Sequence, residues 1–203
     1  GPPSPTTSVQ TAKELNHHQD FIYTDDEIDE TKGSISNFVK SGLLDPSKGD
    51  GFVFGLLQHE TAIGSETKLS LNVQRTTELT RLVSQFRCVL HRAVDDLFSQ
   101  AASAASAETF PDTVADLMIQ IRDCGFSGIL TSGGRGSAID NAGKLKTIIR
   151  AGKNVGIEVT LGGGVRSAGM DRFLEALGED ADETWFHSSC LSKCEHGIIE
   201  FDE

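Results

Sequence analysis

Residues 52–57 read FVFGLL. A continuous apolar run of this length is the pattern of a strand buried on both faces, as in a parallel sheet. The pattern recurs downstream. CVL (88–90), GILTS (128–132), IEVTL (157–161) and TWFHSS (184–189) read as four more strands. Amphipathic stripes lie between them. Asn72 is placed to cap a helix in which Leu79, Leu82, Val83 and Phe86 fall at i, i+3, i+4 and i+7. Val114, Leu117, Met118 and Ile121 form a second stripe, closed by Gly125. Leu145, Ile148 and Ile149 mark a third, ending near Gly152, and Met170, Phe173, Leu174 and Leu177 a fourth, stopped by Gly178. Strands starting near 52, 88, 128, 157 and 184, alternating with helices, predict an α/β chain with a parallel sheet and helical crossovers. The candidates are an open doubly wound sheet and part of a (β/α)8 TIM-like barrel.

The 203 residues suit one domain, and 37% hydrophobic with 6% aromatic residues predicts an aliphatic core. Eighteen basic against 30 acidic residues give a net charge of −12, which disfavours nucleic acid and anionic membranes as partners. Four cysteines, Cys88, Cys124, Cys190 and Cys194, are too few for a disulfide scaffold and suit a reducing compartment. No apolar run approaches the roughly 20 residues of a membrane span. No signal peptide is visible, so a cytoplasmic location is expected. Residues 1–19, GPPSPTTSVQTAKELNHHQ, read as a flexible leader, with the domain over 20–203. Early in it, Asp25 or Asp26 is expected to cap a short helix burying Ile28, Ile35, Phe38 and Val39.

Each strand runs into polar or glycine-rich sequence: GLLQHE, HRAVDD, TSGGRGS, GGGVRS, HSSCLS. Ligands of parallel α/β folds meet these carboxyl ends. In HRAVDD, His91 suits metal ligation or proton transfer, Arg92 an anion, and Asp95 the orientation of either. The competing reading is an ordinary strand end in which Asp95 pairs with Arg92 and caps the loop. Thr131, Ser132, Gly133 and Gly134, with Gly162, Gly163 and Gly164, offer backbone N–H groups to an anion. The following helix starts would add positive potential, and Arg166 lies nearby. The competing reading is tight turns that need glycine. No GKS or GKT follows, so no nucleotide cofactor is expected. His187 and Ser188 end the last strand, and alternation turns either Phe186 or His187 inward. Cys190, Cys194 and His196 have C-x3-C-x-H spacing, which suits Cu(I) or Zn(II), although coincidence is the better reading. Cys88 and Cys124 read as core residues. His17 and His18 form an exposed pair.

FVFGLL, HRAVD, ILTSGG, LGGGV and FHSS, in this order, resemble the copper homeostasis protein CutC family. That family's pattern runs approximately GVVFG, FHRAFD, LTSG, a GGG turn and a strand ending FHxSA. DFIYTDDEID (20–29) also resembles its GGDFxYSDxE segment, so the resemblance covers roughly residues 20–197. It implies a (β/α)8 barrel in which FVFGLL to TWFHSS are the fourth to eighth strands. The family's first strands, with their acidic and cysteine residues and an Arg-Pro-Arg-type motif, have no counterpart. The expectation is therefore an incomplete barrel with two exposed edges, which a homo-oligomer would cover. DLFSQAASAASAETFPD (96–112) is longer than the family's usual connection and reads as an Ala/Ser-rich loop insertion near 97–110.

The resemblance implies copper binding or handling in the cytoplasm, with copper as the partner and His91 and His187 as candidate metal residues. The residues themselves leave an alternative open. Cu(I) sites favour sulfur, whereas this mouth offers histidine, arginine, hydroxyls and glycine. That set suits a barrel enzyme acting on a small phosphorylated or carboxylated ligand. A degenerate interaction module is the third reading.

Overall fold

The computed structural model describes residues 21–61, 67–193 and 199–201. The leader, His17, His18, Cys194 and His196 lie outside them. Strands β1 (Gly51–Phe54), β4 (Arg87–Leu90), β5 (Gly128–Thr131), β6 (Glu158–Leu161) and β7 (Thr184–Phe186) form one sheet, all neighbours parallel. Their order in space, β1-β4-β5-β6-β7, follows the chain. A doubly wound sheet reverses direction at a switch point. This one never does. It is singly wound and open, compatible with an incomplete (β/α) barrel.

The helices cover one face. Phe54, Leu90, Ile129 and Val159 pair in register, and the last three are buried. They meet α2 (Val73–Leu82), α4 (Phe110–Asp123), α5 (Ala142–Val155) and α6 (Met170–Leu177), which contribute Leu79, Val114, Met118, Ile121, Leu145, Ile148 and Phe173 to the core. The other face is open, and Val53 and Trp185 are 60% and 64% exposed on it. FVFGLL is therefore not a strand buried on both faces. It is an edge strand that breaks at Gly55, where a Cβ would lie 2.6 Å from Leu90 Cδ1 and 2.9 Å from His91 Nδ1. Leu57 starts a new element, the antiparallel hairpin of β2 (Leu57–Thr61) and β3 (Thr67–Leu71).

Three local expectations are corrected. The first helix, α1 (Asp25–Lys40), is capped by Thr24 rather than an aspartate. Thr24 and Glu27 bond reciprocally, and the Thr24 bonds hold the Glu27 carboxyl below its usual pKa. Ile28 and Ile35 are buried, but Phe38 is 57% exposed. Helix α5, expected to end near Gly152, runs to Val155 with left-handed Gly156 as its cap. Gly152 sits inside it, where a Cβ would meet Ile157 O at 2.8 Å. The largest correction concerns 97–110. Most of it is helix rather than loop. α3 (Val94–Ala104) runs through it and buries Val94, Leu97, Phe98 and Ala101, an i, i+3, i+4, i+7 stripe, and α4 follows from Phe110. Alanine favours helix, and the buried stripe completes the choice. The Gln100 amide then clamps the hairpin, donating to Leu69 O and accepting from Leu69 N, both at 2.8 Å. Among the described residues, no helix is long and apolar enough to cross a membrane.

Candidate functional site at the carboxyl end of the sheet

Asp95 organises the mouth. It lies in the first turn of α3, directly after the β4 strand end, and its side chain is 8% exposed. One carboxylate oxygen accepts from Thr131 Oγ1 (2.5 Å), Ser132 N (2.9 Å) and Gly134 N (3.2 Å). The other accepts from Arg92 Nε and faces Ser132 Oγ at 3.1 Å. Burying a carboxylate is costly unless it is paired and bonded, and this one is both. The geometry of HRAVDD is thus the paired arrangement: Asp95 holds Arg92 and ties β4 to the TSGG loop.

This arrangement divides the glycine-rich mouth in two. In TSGG the donors are engaged. Ser132 N and Gly134 N donate to Asp95, and Gly133 N donates to Thr131 Oγ1 at 2.8 Å. Asn141 Nδ2 adds a bond to Ser132 O at 2.9 Å. The TSGG loop is therefore a structural clasp, and its expected role of presenting free N–H groups is corrected. In LGGGV, Gly162 N donates to Thr131 O at 2.8 Å, but Gly163 N and Gly164 N meet no acceptor among the described residues. Both glycines take positive φ, 97° and 82°. The expected help from helix starts is also absent: α5 begins at Ala142 and α6 at Met170, several residues beyond their loops.

Arg92 leans onto the free half. Its Nε is held by Asp95 and its Nη2 donates to Ser132 Oγ at 2.8 Å. Nη1 is left over Gly163, where a Cβ would lie 2.8 Å from it and 3.1 Å from Ser132 Cβ. A cavity of about 270 Å³ opens here, lined by Arg92, Leu130, Gly162, Gly163, Gly164, Arg166, His187 and Ser189. Among the described residues, no carboxylate lines it. Two arginines and the Gly163 and Gly164 amides give the cavity a cationic lining in a chain of net charge −12.

The two histidines are not brought together. His187 lies just past β7 and lines the cavity, while His91 follows β4, with β5 and β6 between them. His91 Nδ1 accepts from Ala93 N at 3.2 Å, and its ring packs on Phe21 with centroids 4.8 Å apart. Burial lowers its pKa, and the bond from Ala93 N engages Nδ1. Ser188 is a clamp: its hydroxyl donates to Val165 O at 2.9 Å and accepts from Cys190 N at 3.1 Å. Leu130 and Ser189 were not foreseen. Alternation from Ser132 points to Leu130, whereas nothing local marks Ser189.

Among the described residues, the donor sets do not fit a copper centre. Among the described residues, no three His, Cys, Asp or Glu side chains group to hold a metal. Cys88 and Cys124 are buried in the core, and desolvation pushes the Cys88 thiol up to about 11. Cys190 is exposed. Its proposed co-ligands Cys194 and His196 fall outside the described residues. No curated protein matches the chain. The model of the CutC family matches residues 15–189, a span holding the whole five-stranded sheet and every residue lining the cavity. The chain belongs to the CutC family.

Proposed function

We propose that the chain serves copper homeostasis, the role its family implies, and that the site it brings to that role is a receptor for a small phosphorylated or carboxylated ligand. One observation carries the second part. Arg92 Nη1, Gly163 N and Gly164 N face one cavity, and no protein acceptor engages them among the described residues. Converging donors with no protein partner favour an incoming anion. Asp95 fixes the guanidinium beforehand, which lowers the ordering cost of binding.

The test is calorimetric titration of the purified, reduced protein with inorganic phosphate and acetate, beside Arg92→Ala. Binding that weakens at least tenfold in the variant supports the receptor, the scale expected from losing one charge-assisted contact (~1.5–3 kcal/mol). Heat absent for both anions overturns it. A parallel Cu(I) titration by native mass spectrometry addresses direct copper carriage. Tight stoichiometric copper, lost in Cys190→Ser/Cys194→Ser, would place copper on the chain's tail and not in the mouth.

A further inference from the structure

The parallel sheet ends on two strands that lack a second neighbour. Among the described residues, β1 and β7 each pair on one side only. An unpaired strand edge is a template for another strand, and proteins blunt it with charge, proline or a bulge. Neither strand does so here. Their sequences, GFVF and TWF, hold no charged residue and no proline, and each keeps unbroken register with its one neighbour. The open face is also barest at these edges. Residues paired across parallel strands share a face, and side chains alternate along each strand. That puts Val53, Val89, Leu130, Thr160 and Trp185 on the open face, opposite buried Leu90, Ile129 and Val159. On the inner strands, Val89, Leu130 and Thr160 are half-buried. Val53 on β1 and Trp185 on β7, at the two opposite edges, are 60% and 64% exposed.

A second copy of the chain carries what each edge lacks. The sheet is parallel throughout and its order in space follows the chain, so β1 of one copy extends the sheet past β7 of another with every strand pointing the same way. A two-fold axis along the strands repeats that junction, and all four edges are then used. We infer that two copies close their sheets, five strands from each, into one parallel barrel through two β1–β7 junctions. At each junction Val53 meets the partner's Trp185 on the enclosed face, and a buried indole is a strong interface anchor. The charges suit this closure. The strand residues on that face include one base and one acid, Arg87 and Glu158, which pair at 3.1 Å. Two molecules of charge −12 can therefore meet there without burying net charge. Asp50 and Glu183 precede the two edge strands, and Lys153 already holds Glu183 at 2.5 Å. The repulsion that remains is between whole molecules, so added salt tightens the assembly.

The experiment is sedimentation equilibrium of the full, reduced chain over roughly 1–100 μM, the range of a small interface, in low and high sodium chloride. Emission of Trp185, the sole tryptophan, is recorded on dilution. A monomer–dimer equilibrium is expected, tighter in high salt, with the emission moving to the red as dimers part. Val53→Lys and Trp185→Glu change exposed side chains, and far-UV circular dichroism checks their fold. Each variant alone should weaken the dimer at least tenfold. An equal mixture should regain a heterodimer, because one junction is then native and the other joins the introduced base to the introduced acid. A chain that stays monomeric at every concentration overturns the inference. If its indole is also shielded from acrylamide, another segment of the same chain covers the edge. Open-ended polymers overturn the closure. A dimer that either substitution leaves unchanged, or a mixture no more associated than its parts, overturns the β1–β7 junction.

Discussion

At the scale of single residues, Asp95 and Arg92 look like one ion pair but do different work. Asp95 satisfies Thr131 Oγ1, Ser132 N and Gly134 N as well as Arg92 Nε. Arg92 is 41% exposed at its side chain, so part of its charge is met by water. Asp95→Ala strands buried donors, and its expected cost is ~2–4 kcal/mol. Arg92→Ala should cost less, because the loop bonds to Asp95 survive. Urea unfolding of both variants decides this, and an equal or larger loss for Arg92→Ala would make the ion pair the dominant interaction. His91 gives a pH prediction. Its folded pKa is lowered by burial, so the unfolded chain takes up the proton first as pH falls through about 6.5. Its contribution is full above that pH and is lost below it. His91→Asn keeps an acceptor for Ala93 N without a titrating ring. The fall in urea midpoint between pH 7.5 and 5.5 should be smaller in that variant, and equal slopes would refute the assignment.

At the scale of elements, most of the fold was written locally. Alternation of apolar runs and helical stripes located all five sheet strands, and Asn72 caps its helix as its side chain suggests, accepting from Arg75 N at 3.1 Å. Two misses were legible too. Thr24-Asp25-Asp26-Glu27 has the spacing of a capping box. Val94, Leu97, Phe98 and Ala101 keep helical period through a stretch whose Ala/Ser composition suggests filler. Periodicity outranks composition there, because burying one stripe stabilises a helix whatever the other faces carry. The helix assignment can be checked directly. Ala102→Pro, in the last turn of α3, should cost up to about 3 kcal/mol in urea unfolding, whereas a filler loop would accept it with almost no change. Other features were beyond local reading. The break at Gly55 is set by Leu90 and His91 across the sheet edge. Which glycine loop stays free is set by Asp95, which reaches TSGG only once β4 and β5 pair.

At the scale of the whole molecule, charge and site pull in opposite directions. The chain carries −12, while among the described residues the cavity is lined by two arginines and a histidine with no carboxylate. Added salt screens the overall self-repulsion and should raise the unfolding temperature. The same salt weakens attraction between the cavity and an anion. Phosphate separates the two effects, since it acts both as a screening ion and as an occupant. A ligand bound only by the folded state at ten times its Kd stabilises by about 1.4 kcal/mol. For a domain of this size that is roughly 3–6 °C. At matched ionic strength, phosphate should therefore raise the unfolding temperature above chloride by that amount, and Arg92→Ala should erase the difference while keeping the shared rise. Equal temperatures in the two salts for the native chain would mean that the cavity holds no phosphate. A difference that survives in Arg92→Ala would mean that the phosphate sits elsewhere, because Nη1 of that residue is a charged donor that meets no acceptor among the described residues.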